Sequence, residues 1–231
     1  MNKNPNKAIR LWLVLGLLAF VLLPWYAIQD TAWYSVLPQI FGGSETANGL
    51  VQALTYGRKW LLIGLVGLII AAMGLAVPAG KTQGNWFLAG GGIGFLGLLV
   101  SGFLIGAKGW QFEAFNTQFG ELALNQFGIG IGAFVVLLAL VMIIAFGIAR
   151  RGFFKGDLFI ASAVLGCAVL LLLFIAFPVS KALYGAFLTE EGKWSITAIF
   201  ERIGNERIWG LNCLAGGQRC GVAWNTLFLG L

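Results

Sequence analysis

Histidine is absent from all 231 residues. Its absence removes the commonest general base, haem ligation by imidazole and the usual zinc sites. Charge is scarce too. Only 10% of residues are Asp, Glu, Lys or Arg, against roughly a quarter in an average soluble domain. So few charges cannot clothe a water-facing surface. The three cysteines, Cys167, Cys213 and Cys220, are too few for a disulfide scaffold and lack paired zinc spacing.

What the chain has in quantity is apolar: 59% of residues are hydrophobic and 34 are glycine. A hydrocarbon core about 30 Å thick needs roughly 20 helical residues. Five runs meet or approach that length, 11–28, 60–79, 86–106, 128–149 and 158–178, and 222–231 begins a sixth in the same style. The runs are continuous instead of alternating, which argues against strands. The expected fold is all-α, a polytopic transmembrane helical protein with about five full spans and the start of a sixth. Pro24, Pro78 and Pro178 stand at or near span ends, where a missing N–H does least harm. Trp12, Trp25, Trp60, Trp86 and Trp110 flank the runs as rings anchored at headgroup level.

The N-terminal stretch has the basic start of a signal peptide in Lys3, Lys7 and Arg10. Its apolar run ends in Leu-Leu-Pro-Trp-Tyr instead of small residues at a cleavage site. An uncleaved first helix is the reading that follows. The net charge of +6 comes from basic residues scattered over short loops, a topology signal and not a nucleic-acid patch. With the N-terminus inside, Lys3, Lys7, Arg10, Lys81, Arg150, Arg151 and Lys155 all face the cytoplasm. Among short outer loops only Arg58, Lys59 and Lys108 oppose them.

The outer loops are then 29–59, 107–127 and 179–221. Trp33, Tyr34, Leu37 and Ile40 in the first, with Trp110, Phe112, Phe115 and Phe119 in the second, read as amphipathic segments on the outer surface. In the third loop Cys213 and Cys220 flank Gly216-Gly217, which lets the chain turn back, so a disulfide is expected in an oxidising compartment. Cys167 falls mid-span, as a small packing residue.

Gly92-Ile93-Gly94-Phe95-Leu96-Gly97 formally spells a dinucleotide fingerprint. That chemistry needs a strand before it, a helix after it and an acid about 20 residues on. Inside an apolar run, small residues instead let helix backbones approach. Gly102-xxx-Gly106 and Gly128-xxx-Gly132 invite the same explanation. The five spans contain no Asp, Glu, Lys, Arg or His, so neither a proton route nor an intramembrane protease is expected. No catalytic, cofactor-binding or metal-ligating residue stands out.

The last third carries an ordered set of phrases. A basic turn, Arg150-Arg151-Gly152-Phe153-Phe154-Lys155, leads into a run closing on Phe177-Pro178. Then come Val179 to Phe187, Glu191-Gly192-Lys193-Trp194-Ser195-Ile196, Phe200 and finally Asn225-Thr226-Leu227-Phe228-Leu229-Gly230-Leu231. This order resembles the start of the permease subunit of binding-protein-dependent ABC importers, the ferric-iron type in particular. Its family-like positions are Pro178, Gly192, Asn225, Thr226 and Leu227.

The resemblance covers about a third of the chain and divides it in two. Residues 1–154 form an N-terminal transmembrane extension of four helices. Residues 155–231 form the start of a permease-like region: one helix, outer loop 179–221 and a truncated helix 222–231. The family's cytoplasmic coupling phrase is missing, so the expectation is an N-terminal piece of a longer permease or a truncated gene product. The resemblance implies a bacterial inner-membrane protein, with a cytoplasmic ATPase subunit and a periplasmic solute-binding protein as partners beside the lipid bilayer. No nucleic acid is expected. The rival reading is a non-transport membrane scaffold held together by Gly-rich helices.

Overall fold

Proline and glycine decide where the apolar runs become helices. The computed structural model describes residues 6–30, 32, 34–41, 43, 45–106, 109–110, 113–122, 126–187, 189, 195–211, 213 and 221–230. Helix α1 (Lys7–Leu22) stops because Leu23 precedes Pro24, and a residue before proline avoids helical backbone. Leu23 is extended, with φ −110° and ψ 147°. The chain then enters a two-residue strand, β1 (Ala27–Ile28), and a short helix, α2 (Gly49–Leu54), whose Asn48 side chain accepts from the Val51 N–H.

The next helix, α3 (Leu62–Met73), is extended by tighter turns at both ends, making one rod over Lys59–Ala76 that ends before Pro78. It is followed by α4 (Lys81–Phe103) and a hairpin of β2 (Ile105–Gly106) with β3 (Gly109–Trp110). Then come α5 (Glu113–Phe119) and β4 (Gln126–Phe127), which pairs antiparallel with β1. Helices α6 (Ile131–Arg150) and α7 (Leu158–Leu171) are next.

Among the described residues four helices are long and apolar enough to cross a membrane: Lys59–Ala76, Lys81–Phe103, Ile131–Arg150 and Leu158–Ala186. The run expected over 11–28 falls short of this set. At 16 residues α1 rises only about 24 Å, because Pro24 turns the chain aside.

A second boundary also moves. The span expected to end at Pro178 runs on without a break to Ala186. Pro178 is the second residue of α8 (Phe177–Ala186), and the turn before it, Leu172–Ala176, is a π-turn. Proline cannot donate to the Phe174 carbonyl, and a widened turn absorbs that mismatch without stopping the helix. The outer segment expected from 179 is therefore helical in its first eight residues.

The chain divides into two compact units, Met1–Gly166 and Cys167–Leu231. In the first, α1 packs beside α6 and α3, while α4 packs beside α3 and α6, closing a ring of four helices. Phe20, Phe87, Leu98, Leu140 and Ile143 fill its core. Glycine sets the close approaches. A methyl on Gly91 would sit 2.7 Å from the Ile144 side chain, and one on Gly147 would sit 2.9 Å from the Gly84 carbonyl oxygen.

The fingerprint-like glycines divide between these contacts. Gly94 faces Leu140 and Gly97 meets Ile63, while Gly92 faces open space. The two other glycine pairs are not stripes within single helices. Gly106 lies in β2 and Gly128 precedes α6, where it abuts the backbone of Gly102.

The second unit contains the remainder of the long helix, then α9 (Ile196–Ile203), α10 (Glu206–Trp209) and α11 (Val222–Gly230). Ile196, Phe200 and Ile203 share an exposed apolar face of α9 at helical spacing. The Trp224 indole N–H donates to the Trp209 carbonyl at 2.9 Å, tying α11 to α10.

Candidate functional site

The first unit buries an arginine. Arg58 is 8% exposed, directly before the rod that begins at Lys59. The segment around it is held by main-chain bonds: Trp25 N–H donates to Ala47 at 3.2 Å, and Arg58 N–H to Gln52 at 3.1 Å. Gly49 permits the fold-back, since a methyl there would lie 2.5 Å from the Trp25 ring. Gly57, at φ +72°, makes the turn that aims Arg58 inward.

Two elements receive the guanidinium. Its Nη2 donates to Gln126 Oε1 at 3.3 Å, joining residues 68 apart in sequence. Gln126 sits on β4, in register with Ile28 of β1, and its Nε2 donates to the Glu45 carbonyl at 3.4 Å. The guanidinium carbon also lies 4.6 Å from the centroid of the Tyr26 ring, a cation–π contact. No carboxylate among the described residues pairs with it.

Tyr26 is buried, and burial pushes its phenol up to about 12 although the nearby Arg58 charge pulls the other way. The Arg58 and Trp60 N–H groups lie close enough to the phenol oxygen to favour its anion, yet neither is aligned as a hydrogen bond. Arg58 Nη1, Trp60 Nε1 and the Tyr26 hydroxyl are thus buried without a hydrogen-bond partner. The Trp60 ring packs edge-on against Trp110 at 5.1 Å and Phe119 at 5.2 Å, closing one side of the cluster.

By its place in a short outer loop Arg58 reads as a topology signal. The structure corrects that: the residue is a buried hub linking both loops at this end of the bundle. Trp25, expected as a headgroup anchor, is 1% exposed and packs on Phe20 at 5.1 Å. The only local hint was the phrase Tyr56-Gly57-Arg58-Lys59-Trp60, a turn glycine beside a cation and a large donor-bearing ring.

The other expected positions do not converge on a site. Pro178 lies inside a continuing helix. Asn225, Thr226 and Leu227 lie on α11, where the Thr226 hydroxyl donates to the Val222 carbonyl at 2.8 Å and Leu227 is exposed. Gly192 and Cys220 lie outside the described residues. Cys213 is disulfide-bonded. Cys167, expected as a packing residue, is a free thiol exposed on its helix.

No group of three potential metal ligands occurs among the described residues. At the other end of the first unit Gly80, Phe146, Arg150 and Leu158 line an open cleft of about 400 Å³. Neither place joins a nucleophile to a base. Set beside known protein families, curated proteins and solved structures, the chain finds no match.

Proposed function

We propose that the chain is part of the inner-membrane permease of a binding-protein-dependent ABC importer, with ferric iron as its cargo. The observation that carries this reading is the ordered set Phe177-Pro178, Glu191-Gly192, Phe200 and Asn225-Thr226-Leu227. It starts near the close of a long apolar helix and ends on α11. In this reading a periplasmic protein delivers solute, a cytoplasmic ATPase subunit hydrolyses ATP, and no side chain of this chain performs bond chemistry.

The N-terminus is cytoplasmic. Lys7, Lys81, Arg150 and Arg151 lie at one end of the four-helix ring, at the start of α1, the start of α4 and the end of α6. Among the described residues the opposing end has Lys59 and the buried Arg58, which no longer counts as a free loop charge; Lys108 lies outside them. That asymmetry favours the basic end inside.

A specific observation also favours the scaffold alternative: glycines bring α3, α4 and α6 together at backbone distance. The deciding experiment is purification of the full gene product from its native membrane, followed by reconstitution. Recovery of an ATPase subunit, with ATP hydrolysis stimulated by a solute-loaded binding protein, supports the importer. A well-folded sample that repeatedly brings down no ATPase leaves the scaffold.

A further inference from the structure

We infer that Arg58, Tyr26 and Trp60 form a binding site for a small monovalent anion, chloride in the first instance. Four buried hydrogens are at issue. Arg58 Nη1 carries two, the Trp60 indole one and the Tyr26 hydroxyl one. None has an acceptor within hydrogen-bond geometry, and each atom is sealed from solvent. The Tyr26 phenol oxygen, which both Arg58 and Trp60 approach, could accept at most two of them and cannot accept its own proton. Against that one oxygen the donors are in surplus.

Charge sharpens the case. Buried cations are ordinarily paired, because an isolated one loses its hydration without return. Here the guanidinium has a neutral amide oxygen at 3.3 Å and an aromatic face at 4.6 Å, and no carboxylate among the described residues. Water would accept hydrogen bonds and leave the charge uncompensated. An anion does both.

The close packing around these donors favours a small ion. Trp60 is backed by Trp110 and Phe119, Gln126 is 1% exposed and Tyr26 is 3% exposed. A compact, weakly hydrated ion suits such a place better than a polyatomic oxyanion. The ion would lock the loop that follows α1 to the strand that precedes α6, a structural role independent of what the protein transports.

The test uses the full chain in detergent, with thermal unfolding followed at constant ionic strength while potassium gluconate is replaced by potassium chloride. The expected result is a saturable rise in midpoint, about 3–6 °C at tenfold excess over the dissociation constant, reproduced by bromide. Arg58→Gln should abolish the chloride response. Should that variant not fold, Trp60→Phe keeps the ring packing, removes one donor and should weaken the apparent affinity several-fold. A wild-type midpoint indifferent to the anion overturns the site, as does an unchanged chloride response in a folded Arg58→Gln or Trp60→Phe protein.

Discussion

Gly67 of α3 and Gly94 of α4 pass one another with nothing but backbone between them. A methyl on Gly67 would stand 2.7 Å from the Gly94 α-carbon and 2.6 Å from the Gly90 carbonyl oxygen. Backbone cannot rotate away as a side chain can, so the helices themselves must separate. Overpacking of this kind costs about 1–3 kcal/mol. Gly67→Ala should lower the unfolding midpoint in detergent by about 2–4 °C for each kcal/mol lost. Gly92→Ala, on the same stretch of α4 but facing open space, should leave it unchanged. Equal effects at the two positions would remove close packing as the reason for these glycines.

The apolar helical class and the close-packing glycines are legible in the sequence, because each is a local property. Helix bounds are less so: α4 opens at Lys81, ahead of the apolar run at 86–106, because its polar first turn carries no hydropathy signal. The β1–β4 pairing is not legible. Two strands of two residues each carry no periodicity, and their partners are far apart along the chain. The Arg58–Gln126 bond is hidden for the same reason. Arg58 looks like any loop cation until Gly57 turns it inward. Pro178 misleads in another way: a proline reads as a stop, but a π-turn ahead of it lets the helix continue.

That π-turn gives a second prediction. Pro178→Ala restores an N–H able to reach the Phe174 carbonyl, removing the cause of the widened turn. Amides across 172–182 should exchange with deuterium more slowly in the variant, as regular α-helical bonding replaces the π-turn. Exchange that is unchanged or faster would mean the turn is set by something other than the proline.

Tyr26 makes a third prediction, through its alkaline titration. Its folded-state value, about 12, lies above the ordinary 10 of a free phenol. The folded state therefore holds its proton more tightly than the unfolded state. The sign is fixed: this contribution is complete below pH 10, declines between 10 and 12, and is gone above the folded value. The gap corresponds to roughly 2–3 kcal/mol. Tyr26→Phe has no proton to lose, so its stability should fall less steeply over that pH interval. Parallel curves for the two proteins would mean that burial of this phenol does not govern the alkaline limit.

The antiparallel course of the rods provides the last prediction. Gly74, late in the rod over Lys59–Ala76, touches Phe87 in the early part of α4, and Gly84 at the start of α4 touches the backbone of Gly147 near the end of α6. Thr55, just before that rod, and Arg151, just after α6, consequently lie at opposite ends of the ring. Both are exposed. In a Cys167→Ser background, which removes the exposed native thiol, Thr55→Cys should react with a membrane-impermeant maleimide added outside spheroplasts. Arg151→Cys should react only after the membrane is opened. Labelling of both from outside would deny that the ring spans the bilayer. Labelling of Arg151→Cys alone would keep the span but reverse its direction, making the buried Arg58 cluster cytoplasmic and placing the basic end of α6 where short-loop cations are least favoured.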